Sequence, residues 1–238
     1  MRQIKPNISL SEIEKFNGFS TDWWDENGRM KSLHDINPLR LEYIMLKTQL
    51  KGKRVLDVGC GGGILTEQIA MQDAVTIGID ASDHMITIAQ AHAKKSNLDI
   101  QYINTDIEHI TRFTKKGFDV ILCMELLEHV PNYESVILAC KNVLNPGGII
   151  IFATINRNLL SFLLAILCAE YVLGLLPKGT HDYSSLIKPA ELNRTCFGTG
   201  LKNFDVTGFS YNPLTRKYYF CKNSLVNYLA SFKLGPCI

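Results

Sequence analysis

Val55-Leu-Asp-Val-Gly-Cys-Gly-Gly-Gly-Ile-Leu65 decides the architecture. A short apolar run carrying one acid, Asp57, breaks into glycines at 59, 61, 62 and 63, and a helical pattern follows. This predicts a strand that stops in a tight turn, whose bare backbone can press against a ligand before a helix begins. It is the signature of a nucleotide-type cofactor site.

The glycine spacing narrows the cofactor. A dinucleotide fingerprint G-x-G-x-x-G needs its third glycine at 64, where this chain has Ile64. The run follows G-x-G-x-G instead, and Asp57 places a negative charge where a pyrophosphate would have to lie. No Lys-Ser or Lys-Thr pair closes the loop, which removes a P-loop. S-adenosylmethionine, a sulfonium cation with an amino-acid end and no phosphate, suits the run better. Asp57 then orients the amino-acid end, directly or through water, and Gly59 and Gly61 bring the backbone close.

The next strand, at about 75–79, ends in Asp80, where a doubly wound fold puts the carboxylate that holds ribose hydroxyls, about 20 residues past the first glycine. Asp80 before Ser82-Asp83 also reads as a plain helix start. Asp106, after a third strand at 100–103, can approach the adenine edge.

Further strands at 118–123 and 149–154 alternate with helical segments, which implies right-handed crossovers and a parallel sheet. Asn145-Pro-Gly-Gly148 marks the entry to the fifth strand. One domain is expected, with 1–50 as a helical lid, 51–155 as the cofactor-binding core, 156–190 as an apolar insertion, and 191–238 as C-terminal strands. Strands at 204–210 and 216–221 must return to the sheet, so the apolar segment 159–176 cannot span a bilayer once and leave them behind. It is either a buried core helix or one pressed into a membrane surface, and its apolarity on all faces favours the membrane.

With 25 basic and 23 acidic residues intermixed, no basic block announces nucleic acid. The seven cysteines include no C-x-x-C pair and read as reduced thiols. Met1-Arg-Gln-Ile-Lys-Pro6 lacks the apolar stretch of a secretory signal, so the expected location is the cytoplasm.

The chemistry is expected after the fourth strand, in Met124-Glu-Leu-Leu-Glu-His-Val-Pro131. If this segment is helical, Glu125, Glu128 and His129 stand at i, i+3 and i+4 on one face. They suit a hard divalent ion, or one of them takes a proton from the substrate; the bland alternative is that they brace the loop. Met124 would offer an apolar wall to the adenine.

Trp23-Trp-Asp25, Leu33-His-Asp-Ile-Asn-Pro-Leu-Arg-Leu41, the glycine run, Cys123-Met-Glu-Leu-Leu-Glu-His-Val-Pro131, Pro177-Lys-Gly-Thr-His-Asp182 and Thr207-Gly-Phe-Ser-Tyr-Asn-Pro213 together resemble the ubiquinone biosynthesis O-methyltransferase family, within the class I methyltransferases. The resemblance runs from about residue 16 to 213. The tail beyond it departs from the family pattern, with Tyr218-Tyr-Phe-Cys221 and then Asn227-Tyr228.

The resemblance implies a Rossmann-like sheet, mostly parallel with a C-terminal antiparallel strand, and S-adenosylmethionine held by Arg40, Gly59, Asp80 and Met124. From mitochondrial relatives it implies magnesium at Glu125, Glu128 and His129. It further implies a polyprenylated phenol or quinol substrate, other ubiquinone biosynthesis proteins as partners, and a peripheral inner-membrane location reached through 159–176. Transfer would be a direct displacement at the sulfonium methyl. A phenol of pKa about 10 needs a metal or a base, Glu128 or His129, to become the nucleophile; His181 is a rival base. Methylation of a small soluble substrate and a non-catalytic cofactor-binding subunit are the alternatives.

Overall fold

The computed structural model describes residues 7–162, 182–212, 215 and 217–235. Among these residues eight strands form one sheet in the order β3-β2-β1-β4-β5-β8-β6-β7. Five are parallel: β1 Arg54–Val58, β2 Val75–Asp80, β3 Gln101–Asn104, β4 Phe118–Met124 and β5 Leu144–Ile155. The order reverses between β1 and β4, the switch point where open α/β sheets bind ligands at the carboxyl ends of their strands.

The other three strands are β6 Leu201–Asn212, β7 Lys217–Cys221 and β8 Asn227–Leu234. β8 was not anticipated from sequence. It lies antiparallel between β5 and β6, and its apolar stretch Tyr228-Leu-Ala-Ser-Phe232 is buried on both faces. β5 starts earlier than expected, at Leu144, with the sheet register shifting between Phe118 and Val120 opposite it.

Helices α3 Ile64–Ala70, α4 Asp83–Lys95 and α5 Tyr133–Asn142 connect the parallel strands. The N-terminal helices α1 Leu10–Asn17 and α2 Lys31–Lys47 lie across the strand ends. Two large apolar clusters, one on each face of the sheet, form the core; Leu56 and Phe152 belong to one, Val55 and Leu122 to the other. That division follows from alternation, since successive residues of a strand point to opposite faces.

Among the described residues no helix is long and apolar enough to cross a membrane. Most of the 159–176 segment, and His181, lie outside the described residues.

The N-terminal segment is seated on the glycine turn. A Cβ built on Gly62 would stand 2.3 Å from Trp23 Cδ1, so the indole occupies the space that a side chain would need. Trp24 donates from Nε1 to the Gly62 carbonyl at 3.0 Å and stacks on His92 with centroids 3.4 Å apart. Asn37, fully buried, donates from Nδ2 to the Ile64 carbonyl at 3.1 Å and ties α2 to the first turn of α3.

Gly62→Ala should therefore cost about 1–3 kcal/mol through overpacking, and much of that loss should disappear when Trp23→Ala is added. Denaturant midpoints of the four members of the cycle measure it; additive losses would show that the two residues do not meet.

Candidate active site

The carboxyl ends of β1, β2 and β4, together with α1 and α2, enclose a cavity of about 460 Å³. That volume lies within the usual range for cofactor and ligand clefts. Arg40, Asp57, Gly59, Gly61, Asp80, Met124, Glu125 and His129 all line it, although they come from four separate parts of the chain.

Gly59 and Gly61 take φ of +73° and +51°, which L side chains resist, and this lets the turn leave β1 sharply. The turn is closed by Asp80, whose Oδ2 accepts from Gly61 N–H at 2.9 Å and whose Oδ1 accepts from Ser82 N–H at 2.8 Å. Burial raises the pKa of Asp80 above the ordinary carboxylate value, while those backbone donors pull it back. Asp106 caps the 3-10 turn Ile107–Arg112, accepting from His109 N–H at 2.9 Å, and also lines the cavity.

Asp57 sits beneath the turn and accepts from Thr66 Oγ1 at 2.7 Å. Burial pushes its pKa up to about 6, against the opposing effects of the Thr66 hydrogen bond and the Arg40 charge. An acid kept at this edge of ionisation is primed to receive a cation, because a positive ligand favours its charged form. The donors and acceptors present therefore fit an adenosyl sulfonium: backbone and Asp80 at one end, Asp57 and Arg40 at the other.

The reading of 124–131 as a helix is corrected. Glu125 is left-handed, at φ +53°, and its N–H donates to the Ala153 carbonyl at 2.8 Å, so it prolongs the β4–β5 edge. Only Leu127–His129 makes a 3-10 turn before Pro131, which disfavours helical backbone at Val130. The three side chains consequently turn to different partners. Glu125 Oε2 meets Arg40 Nη2 at 2.5 Å, Glu128 Oε2 accepts from Thr154 Oγ1 at 2.8 Å, and His129 Nδ1 meets Glu12 Oε2 at 2.7 Å.

Glu125 and His129 reach the cavity wall, whereas Glu128 is buried beneath it. Among the described residues no group of three His, Cys, Asp or Glu side chains is arranged to hold a metal ion. Cys60 and Cys123 are buried, and burial pushes both thiols above their usual range, which leaves them poor nucleophiles.

Sequence reasoning missed Glu12. Its pKa is lowered, first by the hydrogen bond from His129, and the imidazole edge also meets the Phe16 ring at 5.2 Å. A partner 117 residues away leaves no local sequence signal.

A family profile described as a methyltransferase domain matches residues 49–194. The chain is 47% identical to the ubiquinone biosynthesis O-methyltransferase of Coxiella burnetii, covering 98% of this chain and 99% of that protein. It is 48% identical to the protein of the same name from Pasteurella multocida, over 96% and 98% of the two chains. The chain belongs to the ubiquinone biosynthesis O-methyltransferase family.

The fold of this family member is similar to that of the magnesium protoporphyrin IX methyltransferase of Synechocystis PCC 6803, solved with bound SAH. The TM-score is 0.68 at 17% identity, over 93% of this chain and 97% of that one. A methyltransferase of Thermotoga maritima gives the same TM-score at 15% identity, over 94% and 100%. Both likenesses bear out the mostly parallel Rossmann-like sheet with antiparallel C-terminal pairing.

Asp80→Ala should weaken S-adenosylhomocysteine binding by about tenfold or more, the loss of charge-assisted hydrogen bonds; unchanged calorimetric affinity would remove Asp80 from the site. Asp57 makes a second prediction. An acid whose folded pKa is raised takes up a proton on folding, so its contribution to stability falls as pH climbs from the unfolded value of 3.8 towards about 6. Cofactor affinity should move the opposite way, rising with pH through about 6 as the carboxylate forms, and Asp57→Asn should flatten both trends.

Proposed function

We propose that the chain transfers a methyl group from S-adenosylmethionine to a phenolic hydroxyl of a polyprenylated ubiquinone precursor, 2-polyprenyl-6-hydroxyphenol or 3-demethylubiquinol. The near-full-length identity to ubiquinone biosynthesis O-methyltransferases carries this reading. The cavity supports it, since its cofactor end is built of backbone and acids while its walls are largely apolar.

Bound S-adenosylmethionine supplies a methyl carbon made electrophilic by its sulfonium. Asp80 and the backbone of Gly59 and Gly61 hold the adenosyl end, and Asp57 and Arg40 hold the amino-acid end. The Arg40–Glu125 pair fixes the cavity wall beside Met124. His129, its Nδ1 tethered to Glu12, takes the phenolic proton. Glu128 supports that turn from below through Thr154. Glu125, Glu128 and His129 are engaged by three different partners and do not fit a shared ion here, so no step is assigned to a metal.

Residues 1–50 serve as the lid over this reaction, 51–155 as the cofactor-binding core, 156–190 as the membrane and substrate insertion, and 191–238 as the closing strands. The contact with a membrane surface runs through 159–176. Leu159 and Leu160, at its start, are exposed, and so are Leu225 and Tyr183, whose ring meets that of Phe162 at 5.7 Å. Leu225 accepts hydrogen bonds from Asn158 and Ser161, while Phe162 packs with Ile155 and Val226, which line the cavity. An apolar rim thus adjoins the wall of the pocket, a suitable route for a prenyl chain.

The test is transfer of labelled methyl to a short-chain 3-demethylubiquinol, run with and without chelator and with and without anionic vesicles. Label in the acceptor is expected, with the protein sedimenting with the vesicles. No transfer under any condition would overturn the assignment.

A further inference from the structure

The cavity has a second end. Across β4 from the glycine turn it is lined by Phe209, Ser210 and Tyr211 of β6, Tyr218 of β7 and Asn227 of β8. The antiparallel register sets Tyr211 directly opposite Tyr218. Their rings stand 5.0 Å apart at 52°, and the Phe209 ring meets Tyr218 at 6.4 Å and 61°. Three rings in tilted contact make a wall for a flat aromatic guest. The guest is not the adenine, because the adenosyl end is claimed by Asp80 on the far side of β1.

Tyr218 also stands where the two ends meet. Burial raises its pKa, which keeps the hydroxyl a proton donor, and the next largest influences are the charges of Glu125 and Arg40. A hydroxyl within electrostatic reach of that pair lies beside the wall that Met124 and Glu125 contribute. The acceptor oxygen must come to the same junction, because it has to meet the methyl carbon in line with the sulfur.

We propose that Tyr211 and Tyr218 form the subsite for the acceptor ring, and that the Tyr218 hydroxyl donates a hydrogen bond to the phenolic oxygen that is methylated. This rests on the function proposed above. The subsite selects a flat aromatic acceptor bearing oxygen, because a half-buried donor left without its acceptor is costly. The donor also stabilises the negative charge that develops on that oxygen as its proton leaves. Both tyrosines belong to the C-terminal strands, and Tyr218 lies in the tail that departs from the family pattern.

The experiment compares wild type with Tyr218→Phe and Tyr211→Leu. Two quantities are read: the Kd of a short-chain 2-prenyl-6-hydroxyphenol for the S-adenosylhomocysteine-loaded protein, and kcat/KM for its methylation. Tyr218→Phe should raise that Kd, and lower kcat/KM, by about tenfold, with S-adenosylhomocysteine affinity unchanged within about twofold. Tyr211→Leu should raise the acceptor Kd and lower kcat/KM in proportion, with kcat and S-adenosylhomocysteine affinity unchanged. Acceptor Kd values equal to wild type in both variants, or a parallel loss of S-adenosylhomocysteine affinity, would overturn the subsite. Wild-type protein that binds the acceptor without methylating it would overturn the functional reading and leave the subsite standing.

Discussion

Trp23 lies where Gly61 and Gly62 carry no side chain, and most of the site depends on that contact. A Cβ on either glycine would stand within 2.5 Å of the indole. The bare turn therefore has two tasks. It lets bare backbone at Gly59 and Gly61 line the cavity, and it offers the N-terminal helices a seat close enough for Trp24 to reach the Gly62 carbonyl. Moving the turn would move α2, and with it Arg40. The same short loop thus sets its own side and the opposite wall of the cavity.

Charge is distributed in the cavity so that little of it is unanswered. Arg40, almost fully buried, faces Glu125, and its field restrains the upward shift of Asp57. Asp80 is held by two backbone donors. In a low-dielectric enclosure these pairings keep acids from becoming too costly to ionise. The left-handed backbone at Glu125 belongs to the same arrangement, because strain of this kind persists only where surrounding contacts enforce it. Here the bond from Glu125 N–H to Ala153 on one side and the Arg40 pair on the other enforce it.

Much of the core was legible because it is encoded locally. Alternation, a glycine turn and an acid at the end of the next strand are properties of contiguous residues, and β2, β3 and β4 fall within a residue of their expected bounds. The segment 124–131 was not legible. Its i, i+3, i+4 spacing is a real feature of the chain, but it signifies a shared face only if the backbone is helical, and the hydrogen bond to β5 captures Glu125 first. β8 was missed for a related reason. Tyr228-Leu-Ala-Ser-Phe232 is too short to separate from other apolar runs until β5 and β6 are seen to leave a gap for it.

The sequence by itself determined the cofactor loop, the class of fold and the family, since each rests on residues adjacent in the chain or on identity along its whole length. Only the tertiary structure decided which partners the polar residues take. It gave Glu12 to His129, Arg40 to Glu125 and Thr154 to Glu128, and it carried Tyr211 and Tyr218 across the sheet to the cavity. Those pairings join residues far apart along the chain, and a hydrogen bond reaches only about 3 Å, so nothing short of the folded sheet can say which groups fall within that distance.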